Sequence, residues 1–332
     1  MPSTSQLCAC VLLCCIPALA QAFDVVAHRG ASGYLPEHTL EAVTLAHAQG
    51  ADFIEQDVVI SKDGEAVILH DIHIEEVTDV ELKFPDRVRE DGRYYAIDFT
   101  LEELKRLSVN ERQNENAKPI FKNRYFGEEN GFTIPTLAEQ IELIDNLNRL
   151  TNAHVGFFPE IKYAAWHREQ GFDISKIILG VLERFGLDGP DTNLYLQSFD
   201  FKELQRLRNE LGFKGKLVQL IGEKKWRESD TDFQWIRTAE GLDAVAKVAD
   251  GVAPWIAHLF EPEPLRNGER VEQQWLARAR ERGLQIYPYT FRIDALAADM
   301  TKQEWLDALV KELKVDGIFT DQVPPVLDYL GR

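Results

Sequence analysis

DVVAHRGASGYLPEHTLEAVTLAHAQGADFIEQDVVI, Asp24 to Ile60, is the stretch on which the fold turns. Asp24 to Ala27 is a short β-rich run, Gly30 and Gly33 permit a tight turn, and the pattern from His38 to Ala48 after Pro36 predicts a helix. Phe53 to Val59 returns as a second β-rich run. Strand, helix and strand in so short a span form the crossover unit of a parallel sheet, because a tight hairpin cannot join two parallel strands.

The same alternation continues through the 332 residues. Strands are predicted near Val155 to Ile161, Leu194 to Gln197, Leu217 to Leu220, Gly251 to Trp255, Gln285 to Tyr289 and Gly317 to Phe319. Helices are predicted over Leu137 to Leu150, Ile174 to Phe185, Phe201 to Leu211, Val271 to Arg282 and Gln303 to Leu313. About eight βα units result, the number that closes a TIM (β/α)8 barrel. One interval breaks the rhythm. Asp71 to Thr133 is charged, rich in Asp, Glu, Arg and Asn, with a weak helix near Leu101 to Leu107. So long an excursion in a compact barrel points to function. It reads as an insertion (about 71–133) after the second barrel strand, placed over the mouth; its charges also suit a solvated surface lobe.

Residues 1–22 hold an apolar run from Cys8 to Ala20, with small residues at Ala18, Ala20 and Ala22. The run falls short of the roughly 20 residues of a spanning helix and predicts a secretory signal, leaving one barrel domain over 23–332. The lack of Lys or Arg before Arg29 is atypical of such a signal. All four cysteines, Cys8, Cys10, Cys14 and Cys15, lie there, so the mature chain is expected to have no disulfide, zinc thiolate or cysteine nucleophile. Leu stands where a lipoprotein cleavage box needs a small residue, so no stable membrane anchor is expected. The expected location is periplasmic or secreted, and homo-oligomerisation is left open. A net charge of −18 opposes nucleic acid and anionic membrane surfaces. An anionic substrate would need a cation, or a few placed basic residues, to reverse that potential locally.

The strand ends carry the chemistry, because a barrel places its catalytic groups there. His28-Arg29 ends the first strand, and an exposed guanidinium offers paired hydrogen bonds to phosphate oxygens. Glu55 and Asp57 end the second strand on one face, since Gln56 between them points away. Two facing carboxylates repel unless protonated, salt-bridged or bound to a cation, and hard oxygen ligands favour Mg²⁺ or Ca²⁺. The turn at Ser61 to Glu65 and a returning run Ala66 to Leu69 bring His70 towards His28, and two histidines can divide acid and base duties. Glu160 adds a third oxygen ligand, and Lys162 a compact cation for the phosphate or for a carboxylate. Gln197, Gln219, Trp255, Tyr289 and Arg292 are weaker candidates at later strand ends. His38, His47, His73, His154, His167 and His258 take a structural or surface reading.

Four motifs, AHRGASGYLPEHTLEA, FIEQDVVISKDGEAVILHD, FPEIK and DGIFTD, resemble the glycerophosphodiester phosphodiesterase family in order and spacing, from about Asp24 to the C-terminus. The likeness looks nearest to its long periplasmic bacterial branch. The resemblance implies a TIM barrel with His28 and His70 as acid and base, Arg29 on the phosphate, and one divalent ion, Ca²⁺ ahead of Mg²⁺, on Glu55, Asp57 and Glu160. It implies hydrolysis of small glycerophosphodiesters such as glycerophosphocholine and glycerophosphoethanolamine to sn-glycerol 3-phosphate and an alcohol. His38 stands where much of the family has Asn, and the periplasmic branch also has His there. Two other readings stand beside it: a phospholipase D-like enzyme on lysophospholipid or sphingomyelin, and a non-enzymatic exported binding protein.

Overall fold

The computed structural model of the chain describes residues 23–114, 116–127, 131–261, 270–296 and 300–332. The predicted signal over 1–22 lies outside the described residues. The strands in chain order are β1 (Asp24–Ala27), β2 (Phe53–Ile60), β3 (Ala66–Ile68), β4 (Gly156–Ile161), β5 (Tyr195–Ser198), β6 (Lys216–Ile221), β7 (Gly251–Pro254), β8 (Gln285–Ile286) and β9 (Gly317–Thr320). They form one sheet in the order β8-β7-β6-β5-β4-β2-β1-β9, parallel throughout, with β3 turning back antiparallel on β2. The two ends of that order meet where Asp316 N donates to Ile286 O (3.0 Å) and Phe319 N to Pro288 O (3.0 Å). The result is the expected (β/α)8 barrel, nearly closed. β8 stops at Ile286 rather than at Tyr289, because Pro254 has no N–H to continue the β7–β8 ladder and Pro288 none to give β9.

Period two along the strands sorts the barrel interior into layers. Phe158, Tyr195, Tyr287 and Phe319 form a buried aromatic floor, with ring centroids 4.9 Å apart for both Phe158–Tyr195 and Phe158–Phe319. Two residues further along each of these chain segments stand Glu160, Gln197, Tyr289 and Asp321, so a polar layer rests on the aromatic one. Gly317 is required at the floor: a Cβ there would lie 2.5 Å from Asp24 O and 2.8 Å from a ring carbon of Tyr287.

The helix after β1 runs over Leu40–Ala48, with the Thr39 side chain accepting from Ala42 N. It starts two residues later than the sequence pattern suggests, because His38 takes a left-handed φ of 67° and turns towards the mouth. Leu137–Thr151 opens on a capping box made by Thr136 and Glu139. The predicted Val271 to Arg282 helix shortens to Gln274–Glu281, since Glu261 N bonds Val271 O and Gln273 N bonds Leu259 O instead. Gln303 to Leu313 divides into an α-helix, Lys302–Leu306, and a π-helical stretch, Asp307–Glu312.

The charged segment 71–133 buries a core of its own. Ile72, Ile74, Val77, Val80, Phe99, Leu104, Leu107 and Val109 pack with Val59, Val67 and Leu69. Short helices at Val80–Lys83 and Leu101–Leu104 carry part of it. The charged composition masks this core because its apolar residues are spaced irregularly, matching neither the helical nor the strand period. Among the described residues no helix is long and apolar enough to cross a membrane.

Candidate active site

The chain leaves β1 at His28 and immediately reverses its φ sign, with Arg29 at 60° and Gly30 at 78°. A Cβ on Gly30 would stand 2.9 Å from Ala42 C, so only glycine lets this turn lie against the following helix. The turn aims the Arg29 N–H at Glu55 Oε2 (2.8 Å), while its guanidinium donates to Glu37 Oε2 (3.0 Å) and lies 3.3 Å from Asp57 Oδ2. His28 Nδ1 is 2.7 Å from Asp321 Oδ1. Burial, then the neighbouring Arg29, pushes the His28 ring down to about 3, so the imidazole is neutral near pH 7. The burial that would raise the Asp321 carboxyl is outweighed by Arg292 and His28, which hold it well below the usual carboxylate range. The charged carboxylate therefore accepts from Nδ1–H and leaves Nε2 as the free lone pair of His28.

β2 delivers Glu55 and Asp57, both almost wholly buried. Burial and the Asp57 charge push Glu55 well up. Asp57 is held well down, because His70, Lys162, His38 and Arg29 together outweigh its burial. The β2–β3 hairpin returns the chain to the mouth at His70, whose Nδ1 lies 3.0 Å from Asp71 Oδ2. His28, Arg29, Glu55, Asp57, His70, Glu160, Gln197, Trp255 and Tyr289 all face one cavity of about 400 Å³. The rest of its lining is largely aromatic and apolar, with Phe199, Leu220, Trp226 and Phe319.

The model of the glycerophosphoryl diester phosphodiesterase family matches residues 28–324. A glycerophosphodiester phosphodiesterase of Haemophilus influenzae is 39% identical over 315 residues, covering 90% of this chain and 86% of its own. The chain belongs to the glycerophosphodiester phosphodiesterase family, which is a family of hydrolases. Solved structures share its fold. A putative glycerophosphoryl diester phosphodiesterase of Silicibacter pomeroyi superposes with a TM-score of 0.67 at 20% identity, covering 94% of each chain. An Oleispira antarctica phosphodiesterase, solved with the product sn-glycerol-3-phosphate, superposes with a TM-score of 0.61 at 20% identity, covering 93% of this chain and 97% of its own.

Glycerophosphodiester phosphodiesterases are metal-dependent, and the donor set here fits a hard cation. His38, Glu55 and Asp57 present ligand atoms all within 4.8 Å of one another. Asp57 Oδ1 is buried and accepts no hydrogen bond, and Glu55 and Asp57 repel each other across the gap. A divalent cation would relieve both costs.

Lys162 takes the carboxylate role rather than the phosphate role, and Glu160, His38 and Gln219 depart from their predicted places. Lys162 is wholly buried and does not line the cavity. Its ammonium stands 3.0 Å from Glu160 Oε1, 3.1 Å from Glu228 Oε1 and 4.0 Å from Asp57 Oδ1, so its charge is taken up by carboxylates rather than offered to a phosphate. Glu160 accordingly turns to Lys162 and stands outside the tightest cluster, where His38 takes the third place. His38 Nε2 lies 2.9 Å from Asp57 Oδ2, a contact its structural reading did not anticipate. Gln219 is buried on backbone carbonyls away from the cavity, whereas Arg292 lines it. Asp321 was legible in principle, since DGIFTD ends a strand just as FIEQD does. Glu37, Glu228, Arg112 and Arg124 lie in loops or in the 71–133 segment, and no local pattern marks them.

Proposed function

We propose that this chain hydrolyses glycerophosphodiesters such as glycerophosphocholine and glycerophosphoethanolamine, releasing sn-glycerol 3-phosphate and an alcohol. The observation that carries the reading is a single cavity in which two histidines, each backed by a carboxylate, flank Arg29 and a buried acidic cluster. Glu55 and Asp57 with Glu160 or His38 would hold one divalent cation, Ca²⁺ ahead of Mg²⁺, because Ca²⁺ accepts irregular coordination whereas Mg²⁺ demands a near-ideal octahedron of oxygens. Such a cation neutralises charge on the diester oxygens and orients them. Arg29 adds a fixed positive charge on the same side, already oriented by Glu37. His28, neutral and tethered through Nδ1, suits the base that takes a proton from the attacking hydroxyl at Nε2. His70 then suits the acid that protonates the leaving alkoxide. The attacking hydroxyl belongs to water or to the glycerol itself, and trapping a cyclic phosphate would separate the two. The residues 1–22 support export to the periplasm or medium.

Hydrolysis of glycerophosphocholine, with and without a chelator, tests the reading. His28→Ala and His70→Ala are each expected to lower kcat by about 100- to 10,000-fold with the fold intact. Full activity in either variant would overturn the acid–base assignment. Turnover of lysophosphatidylcholine alone would instead establish the phospholipase D-like reading, for which the aromatic wall of the cavity is the supporting feature.

A further inference from the structure

Both histidines at the mouth lean on carboxylates, and both carboxylates lean on arginines from the 71–133 segment. Asp71 Oδ2, 3.0 Å from His70 Nδ1, accepts from Arg112 Nη1 at 2.6 Å. Asp321 bonds His28 through Oδ1 and accepts from Arg124 Nη2 through Oδ2 at 2.7 Å. We propose that Arg112 and Arg124 are positioning residues for His70 and His28, so that this segment completes the catalytic apparatus in addition to covering it. The proposal rests on the acid–base reading of the two histidines.

The geometry of each arginine suits that task. Arg124 is nearly buried and is fixed by three further contacts: Asp294 Oδ2 (2.8 Å), Asp294 Oδ1 (3.1 Å) and Ser32 O (3.2 Å). Arg112 also donates to Glu37 Oε1 (2.7 Å) and Glu76 Oε2 (2.9 Å), and Glu37 in turn holds Arg29. A planar guanidinium with several fixed bonds fixes the plane of the carboxylate it meets. Asp321 then fixes the rotation and tautomer of His28 through its hydrogen bond, whereas Asp71 stands 3.0 Å from His70 Nδ1 without hydrogen-bond geometry and holds that ring by charge. Neither arginine has charge to spare for a phosphate, since both are already matched by acids.

The two arms are unequal. Arg292 Nε also reaches Asp321 Oδ2 at 2.7 Å, so the His28 arm keeps a second cation when Arg124 is lost. The second contact on Asp71 is His70 itself, and the greater loss is expected at Arg112.

Steady-state hydrolysis of glycerophosphocholine by the full chain tests this with Arg112→Ala, Arg124→Ala, Asp71→Asn, Asp321→Asn and the two matched double variants. Each arginine variant should lower kcat by about 10- to 100-fold with calorimetric Ca²⁺ affinity within about twofold of wild type. KM should stay within about twofold in Arg124→Ala and rise in Arg112→Ala, which also loosens Glu37 and with it the hold on Arg29. Arg124→Ala should add little to Asp321→Asn, and Arg112→Ala little to Asp71→Asn, because each pair acts along one chain of contacts. Undiminished, multiplying losses in the double variants would overturn the proposal and make the arginines merely structural. A second readout is independent of turnover. The His28 Nδ1–H should give a slowly exchanging proton NMR signal, assigned by its loss in His28→Gln, and Arg124→Ala should broaden or abolish it. A signal unchanged in Arg124→Ala would overturn the His28 arm. Wild-type protein inert towards every glycerophosphodiester would defeat the proposed function instead, and the NMR result would still decide this inference.

Discussion

Lys162 shows at the scale of one residue how environment sets role. A lysine two positions beyond Glu160 has the spacing to serve a phosphate, yet it is wholly buried among Glu160, Glu228 and Asp57. Removing Lys162 leaves the buried Glu160 carboxylate and its neighbour Glu228 without their ammonium partner, at a cost of about 3–5 kcal/mol. Lys162→Met is therefore expected to lower the urea midpoint strongly, whereas a phosphate contact would chiefly raise KM. His167 gives a pH signature well away from the cavity. Its Nε2 accepts from Ile60 N, and burial pushes its ring down to about 4. The folded ring stays neutral while the unfolded ring protonates near 6.5, so stability present above about pH 6.5 is lost as pH falls towards 4. The loss at pH 5 is on the order of 2 kcal/mol. His167→Gln, which keeps an acceptor for Ile60 N, should flatten the fall in melting temperature between pH 7 and pH 5. An unchanged slope would locate acid sensitivity elsewhere.

Among the elements, the β1–β9 pair sets the positions of His28 and Asp321 at the mouth. The register pairs Asp24 with Gly317 and Ala27 with Thr320, so any shift between these strands displaces the histidine from its carboxylate. Gly317→Ala forces a Cβ against Asp24 O and Tyr287, and overpacking of this kind costs about 1–3 kcal/mol. The expected result is a lower denaturant midpoint together with reduced kcat. Stability lost with kcat unchanged would show that the register survives. The strand positions were legible because period two and β-branched runs are local signals. The start of Leu40–Ala48 and the truncation of β8 were less so, because His38's left-handed turn answers to Asp57 and the β8 ladders end where Pro254 and Pro288 lack N–H groups.

Across the whole molecule, a chain of net charge −18 gathers four of its buried acids, Glu55, Asp57, Glu160 and Asp321, at the site of an anionic substrate. That arrangement carries an electrostatic cost which a bound cation offsets. Ca²⁺ at about 100 times its Kd should stabilise the fold by about 2.7 kcal/mol, read as a higher melting temperature that a chelator reverses. Mg²⁺ is expected to give the smaller shift at equal concentration. The absence of any shift with either ion would count against the acidic cluster as a cation site.

The sequence by itself determined the alternating units, the strand-end placement of His28, Arg29, Glu55, Asp57 and Glu160, and the family, because these rest on spacing within short segments. Tertiary structure decided which charges meet. It assigned Lys162 to carboxylates, brought His38 to Asp57, and set Arg112 and Arg124 behind Asp71 and Asp321. The carboxylate of Asp321 lies 293 residues from its histidine and 197 from Arg124. No local pattern encodes such pairings, since they exist only once the barrel closes and the 71–133 segment packs on its own apolar core.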